Sequence, residues 1–524
     1  MTTSLPDIDT LTLAELVAQM VVVRTCGYLF DHQIPYPEWE APTAKMQHLV
    51  KEVGIGGVIF LGGSAAEIAL KSQQMQSWAK IPLLIAADIE EGVGQRFSGA
   101  TWFPPPMAIG QIAKTNPQLA EQYAEQMGAT TALEALAIGI NWILAPVVDV
   151  NNNPNNPVIN IRAFGETPAE VSPLANAFIR GAKAYPVLTA AKHFPGHGDT
   201  TTDSHVDLPV LAHSPSRLAE IELQPFHSAI ASGVDAVMSA HLLIECWDAQ
   251  YPATLSAPIL TGQLREQLGF TGLIVTDALM MDAIAKRYGI NESPVLAIEA
   301  GADILLMPSD PEGAINAVCD AVKNGRISAQ RIRASVERIW HAKRQIGGIK
   351  INPSNIVLEL AKPEALETVN QILRCSQVVS GTVPLSPSHN GRNLIVVDNL
   401  LGSGKFLTEQ SSAIALPKSL GYTTQLCDRH TPFDPTPETE NLPTLLQLFI
   451  RGNPFRGSAG LTQAGIDWFK RLLSSGNLQA LVIYGSPYIL KKFMPAINSE
   501  IPCIFSYGQM PTAQTIALCT LFNE

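Results

Sequence analysis

Apolar residues fall in short unbroken runs separated by longer stretches of helical spacing. Eight such runs occupy the first two thirds of the chain: MVVVRTCG (20–27), GGVIFLGG (56–63), PLLIAADI (82–89), INWILAPVVDV (140–150), PVLTAAKH (186–193), VDAVMSAHLL (234–243), GLIVTDA (272–278) and ADILLMPS (302–309). None alternates apolar with polar, so each predicts a parallel strand buried on both faces. Between them, segments such as NPQLAEQYAEQMGATTALEAL and RLAEIELQPFHSAIAS place apolar residues at helical spacing. Eight alternations of strand and helix predict an α/β fold of the (β/α)8 TIM-barrel type. The rival, a doubly wound sheet binding a nucleotide, needs a Gly-rich phosphate turn, and neither GxGxxG nor GxxxxGK[ST] occurs.

The pattern changes near residue 345. QIGGIKINPSN (345–355) is rich in Gly, Pro and Asn and reads as a linker, so the barrel domain is taken as 1–345 and the linker as 346–355. Beyond it, NLIVVDNL (393–400), LQALVIYGS (478–486) and IPCIFSYGQ (501–509) predict strands of a smaller, sandwich-like α/β domain over 356–524. HTPFDPTPETENLP (430–443) reads as a surface loop.

Composition narrows the partners. Of 524 residues, 46% are hydrophobic and 16% charged, enough for large cores. A net charge of −12 with no basic run excludes nucleic acid and an anionic membrane surface as partners. The seven cysteines are scattered, without metal-ligand spacing. Free thiols and an N-terminus lacking a basic n-region predict a cytoplasmic protein, and no apolar run is long enough to span a bilayer.

In a barrel, chemistry sits where strands end. Here the third strand ends at Asp88, the fourth at Asp149, the fifth at Lys192 and His193, and the seventh at Asp277, while the sixth carries His241. Each has a plainer reading beside the catalytic one. Asp277, Asp88 and Asp149 could cap turns or helices, His241 could be a hydrogen-bonded core residue, and Lys192 could pair with an aspartate. The loop KHFPGHGDTTTDSH (192–205) is harder to explain structurally, because long unstructured loops in compact domains are usually functional. Within it Asp203 and His205 are two apart and so share a side in extended chain, a pairing suited to proton transfer near neutral pH. His197, between Gly196 and Gly198, suits a bend in that loop.

This loop, with IAADIEEGVGQRF (85–97), NIRAFGETP (160–168), VDAVMSAH (234–241) and the stretch ending TDALMMDAI (276–284), resembles the β-N-acetylhexosaminidase branch of family 3 glycoside hydrolases. The resemblance covers about 12–345. It implies a retaining mechanism with Asp277 as nucleophile and a His205/Asp203 dyad as acid/base, in place of the usual second carboxylate. It implies that Asp88, Arg96, Arg162, Lys192 and His193 hold the sugar, and that no metal or organic cofactor is needed. The substrate implied is a small GlcNAc-containing carbohydrate, such as a peptidoglycan fragment. A phosphorylase, a β-glucosidase or xylosidase, and a catalytically silent sugar-binding protein are the alternatives. One departure stands out: DIEEGVGQR puts Glu91 where the family has glycine, with the expectation that it narrows the pocket or bonds the ligand. With the dyad in the barrel, the second domain is expected to supply no proton donor.

Overall fold

The computed structural model describes residues 5–201, 208–347, 356–432, 442–452 and 462–523. Eight parallel strands form a barrel: β1 (Val21–Cys26), β2 (Gly57–Leu61), β3 (Leu84–Ala87), β4 (Trp142–Ile143), β5 (Leu188–Phe194), β6 (Ala236–Ser239), β7 (Leu273–Val275) and β8 (Leu305–Leu306). Each pairs with its sequence neighbours, and β8 returns to β1 through Val21 beside Leu305. The last seam, between β7 and β8, is a bridge from Val275 to Ile304. Helices in the connections cover the outer face of the strands, and side chains of the other strands fill the interior. That is why the runs are apolar throughout: all seven residues of β5 are buried.

The eight predicted strands are all present, but INWILAPVVDV is shorter than read. Only Trp142 and Ile143 form β4. Pro146 has no amide hydrogen to give the ladder. The chain nevertheless stays beside β5, where the Val148 amide donates to the Lys192 carbonyl at 2.9 Å. This carries Asp149 to the flank of β5.

Helix starts follow local sequence. Thr12, Ser64 and Thr167 each cap a helix reciprocally with a glutamate three residues on, Glu15, Glu67 and Glu170. At the barrel floor, fully buried Asp303 just before β8 accepts hydrogen bonds from Arg265 at 2.7 Å, Ser335 at 2.6 Å and Arg338 at 3.1 Å. This cluster pins helix Ala329–Ile346 under the strands, far from the strand ends where chemistry is expected. The helix includes Ile346, the first residue of the expected linker, and 348–355 lie outside the described residues.

The smaller domain is a six-stranded mixed sheet: β9 (Val378–Ser380), β10 (Arg392–Val396), β11 (Thr423–Cys427), β12 (Thr444–Ile450), β13 (Leu478–Gly485) and β14 (Cys503–Ser506), in the order β9-β14-β13-β12-β10-β11. All neighbours are parallel except β9 on β14. Sequence reading found β10, β13 and β14. It missed β9 and β11, short edge strands with little apolar signal, and β12, which is wholly buried. Of the expected surface loop at 430–443, residues 433–441 lie outside the described residues.

The two domains share one apolar core cluster. Helix Pro363–Ser376 lies against barrel helices Pro106–Ala113 and Pro117–Ala137. Buried Glu134 ties the seam, accepting from the amides of Thr101 at 2.9 Å and Ala361 at 2.8 Å.

Candidate active site

The C-terminal mouth of the barrel gathers three of the predicted residues, Asp88, Lys192 and Arg162, into one network. Asp88 follows β3 directly, and two residues on stands Glu90. Lys192, inside β5 and 1% exposed, donates to Asp88 Oδ1 at 2.7 Å and contacts Glu90 Oε1 at 2.6 Å. Arg162, from the turn Asn160–Arg162, grips Glu90 with two parallel bonds, Nε to Oε2 at 2.8 Å and Nη2 to Oε1 at 2.7 Å. Burial would raise the Glu90 pKa, but Arg162 and Lys192 outweigh it and hold the carboxyl well below its usual range. Burial would likewise discharge Lys192, and Asp88 and Glu90 reverse this. The result is a charged, solvent-poor floor whose members fix one another.

A second network stands beside it. Asp149 is buried and accepts from the His193 amide at 3.1 Å, His193 Nδ1 at 2.8 Å and the His197 amide at 2.7 Å. Arg162 Nη2 lies 3.4 Å from His193 Nε2. A guanidinium only donates, so Nε2 accepts and Nδ1 carries the proton toward Asp149. Asp149 therefore orients His193; burial acts to raise its pKa, and the two histidines hold it lower.

His197 is buried and bonded through Nδ1 to Thr200 Oγ1 at 2.8 Å, in keeping with a loop-shaping part. Burial pushes its imidazole down to about 4, against the pull of Asp149. An unfolded histidine titrates near 6.5, so in that window the unfolded chain takes up a proton that the folded chain refuses. Stability present above about pH 6.5 is therefore lost as pH falls toward about 4. His197→Gln should flatten this dependence, so that its melting temperature falls less across the window, by about 2 °C or more. Parallel curves for the two proteins would remove His197 as the cause.

Asp277 lies two residues beyond β7 and is half-buried. The helix it was read as capping begins later, at Asp282, with Met281 in the capping position. The Asp277 carboxylate instead accepts from the amide of Ala278 at 2.7 Å. In the ring of eight strands β7 stands four places from β3, so Asp277 faces the Asp88 edge from the far side of the mouth. His241 follows the plainer reading: it is buried, with Nδ1 2.8 Å from Thr254 Oγ1 and Nε2 3.1 Å from the Ala278 carbonyl. It braces the peptide that follows Ala278.

Asp203 and His205 lie outside the described residues. On either side of them, Asp199 Oδ2 meets His213 Nε2 at 2.9 Å. Among the described residues one group, Asp199, His213 and Glu222, has donor atoms close enough to hold a cation. Arg217 already supplies one, bonding Glu222 at 2.6 Å and Asp199 at 3.4 Å.

Glu91 departs from one of its two expectations, that it bonds the ligand. Its side chain is buried, accepts from Trp102 Nε1 at 3.0 Å, and is gripped by Arg451, whose Nη1 donates to Oε2 at 3.0 Å. Glu91 therefore joins the barrel to the end of β12 and leaves no oxygen unpaired for a ligand. Sequence reasoning missed Glu90, although the D-x-E spacing after β3 puts it on the same side as Asp88. It also missed Arg451, for which the local sequence carries no signal.

Residues 12–342 match the glycosyl hydrolase family 3 N terminal domain, and 385–523 match the bacterial glycosyl hydrolase family 3 C-terminal domain. The chain belongs to glycosyl hydrolase family 3. This family 3 glycosidase is an enzyme acting on glycosides, in the β-hexosaminidase-like branch. It is 29% identical to β-hexosaminidase A of Pseudoalteromonas piscicida over 94% of this chain and 90% of that protein. A β-hexosaminidase of Thiobacillus denitrificans is 37% identical over 49% of this chain and 72% of its own. Among solved structures, a family 3 β-N-acetylglucosaminidase from Paenibacillus sp. superposes with a TM-score of 0.80 at 29% identity, covering 98% of this chain and 97% of that one. A β-glucoside phosphorylase at 22% identity, with a TM-score of 0.84 and coverage of 98% and 92%, shares the fold. Among the described residues of this family 3 enzyme, no helix is long and apolar enough to cross a membrane.

Proposed function

We propose that this family 3 enzyme is a retaining exo-β-N-acetylglucosaminidase that releases terminal GlcNAc, with peptidoglycan-derived fragments as its natural substrates. The reading is carried by the Asp88–Lys192–Glu90–Arg162–His193 network facing Asp277 across the mouth. Such a floor offers fixed donors and acceptors to sugar hydroxyls and an acetamido group while charge develops at the anomeric carbon above it. The likeness to a solved β-N-acetylglucosaminidase over nearly the whole chain supports the choice of sugar.

In the proposed reaction an Asp277 oxygen attacks the anomeric carbon and the glycosidic C–O bond breaks. His205, oriented by Asp203, gives its proton to the departing oxygen. Water then loses a proton to His205, its oxygen bonds the anomeric carbon, and the Asp277 carboxylate is released. Asp88, Arg96, Arg162, Lys192 and His193 hold the sugar. The barrel, taken as 1–345, carries all of these groups, and the domain from 356 on supplies no proton donor.

Trapping with a fluorinated GlcNAc analogue that keeps the C2 acetamido group and carries an activated leaving group, followed by mass mapping, tests the assignment. Label is expected on the peptide containing Asp277, and label elsewhere would overturn it. Product analysis with and without inorganic phosphate separates hydrolysis from phosphorolysis: free GlcNAc in both is expected, and GlcNAc 1-phosphate formed only with phosphate would favour the phosphorylase.

A further inference from the structure

The charges at the Asp88 edge do not balance. Three carboxylates, Asp88, Glu90 and Glu91, meet Lys192, Arg162 and Arg451 in close pairs. Two more cations stand there without any carboxylate partner among the described residues. Arg96 is exposed and spends its Nε on the Asp88 carbonyl at 3.0 Å. Lys405, from the loop between β10 and β11, reaches over the seam, donates to the carbonyl of Gln95, and lies 5.1 Å from the centre of the Trp102 ring.

We infer that Arg96 and Lys405, one from each domain, form an oxyanion subsite that accepts a phosphoryl or carboxylate group carried on the sugar edge remote from the scissile bond. The side of the bond follows from topology. The proposed nucleophile Asp277 follows β7, four strands from β3, so a sugar with its anomeric carbon at Asp277 directs its opposite edge toward Asp88 and Arg96. This step rests on the assignment of Asp277 as nucleophile under the proposed function.

Glu91 is what makes the subsite possible. It pairs with the Arg451 guanidinium, which would otherwise bring a third unpaired positive charge to the same place, and it bonds Trp102, whose ring Lys405 lies against. Lys405 is exposed at the seam, where partial desolvation and then Arg96 act to lower its ammonium pKa, with Glu91 opposing. An oxyanion seated between Lys405 and Arg96 would relieve that repulsion, and a guanidinium and an ammonium both donate strongly to phosphate or carboxylate oxygens.

Calorimetric titration of the full chain and of Lys405→Ala tests this with three probes: GlcNAc, GlcNAc 6-phosphate and the corresponding 6-uronate. The wild-type protein is expected to bind at least one anionic sugar about tenfold more tightly than GlcNAc, and Lys405→Ala to cut that preference at least fivefold, to about twofold. The better of the two anionic sugars assigns the group. Equal affinity for all three sugars in the wild-type protein overturns the inference, as does an unchanged preference in the variant. Inorganic phosphate bound more tightly than either sugar, with the same dependence on Lys405, also overturns it by making the place a site for the free ion. Turnover of aryl N-acetyl-β-glucosaminide without an anion preference sinks this inference and leaves the proposed function standing. An anion preference without such turnover sinks the hydrolase reading alone.

Discussion

Asp277→Ala is expected to lower turnover of aryl N-acetyl-β-glucosaminide by about 10⁴-fold or more, the scale on which removal of a covalent nucleophile acts. The residue stands two positions past β7 with its carboxylate held by the Ala278 amide, and His241 bonds the carbonyl of that same residue in the following peptide. Loss of the side chain removes the nucleophile and leaves the opposing network of Asp88, Glu90, Lys192 and Arg162 in place. Binding of GlcNAc should therefore persist in the variant, within about threefold of wild type, because uniform binding and chemistry separate when only the reacting atom is lost. Steady-state kinetics and calorimetry on the same preparation check both halves. A variant retaining a tenth of the activity would exclude Asp277 as nucleophile.

The second large effect depends on the substrate. His205→Ala should slow substrates with poorly acidic leaving groups, such as a second sugar, by about 10²–10⁴-fold, the usual contribution of general acid catalysis. Activated aryl glycosides leave as stable phenolates and need little protonation, so release of the aryl group should slow by less than about tenfold. Asp203→Asn should follow the same order with a smaller effect, since it removes the orienting charge and keeps the imidazole. A matched series of aryl leaving groups reads this out as a steeper dependence of log kcat/KM on leaving-group pKa in the variant. Equal slopes would rule out His205 as the acid and turn the search to a carboxylate.

The barrel was legible in the sequence because strands buried on both faces must be apolar at every position, and eight such runs separated by helical spacing leave few alternatives. Position along those runs also marked Asp88, Lys192, His193 and Asp277. The edge strands β9 and β11 were not legible, because half-exposed strands carry no continuous apolar signal. Nor was the length of β4, which ends before Pro146 although the apolar text continues.

By itself, then, the sequence determined which residues can stand at the barrel mouth: burial is recorded locally, residue by residue, with the period of each element. Only the tertiary structure decided what those residues do to one another. Lys192 meets Asp88 across 104 positions, Arg162 meets Glu90 across 72, and Arg451 meets Glu91 across 360. A charge buried at a strand end must find its counterion, but the chain leaves the choice of partner to ring closure and to the docking of the second domain. That is why Glu91, read as narrowing the pocket or bonding the ligand, pairs with Arg451 at the seam, where Lys405 stands beside Arg96 without a carboxylate partner among the described residues.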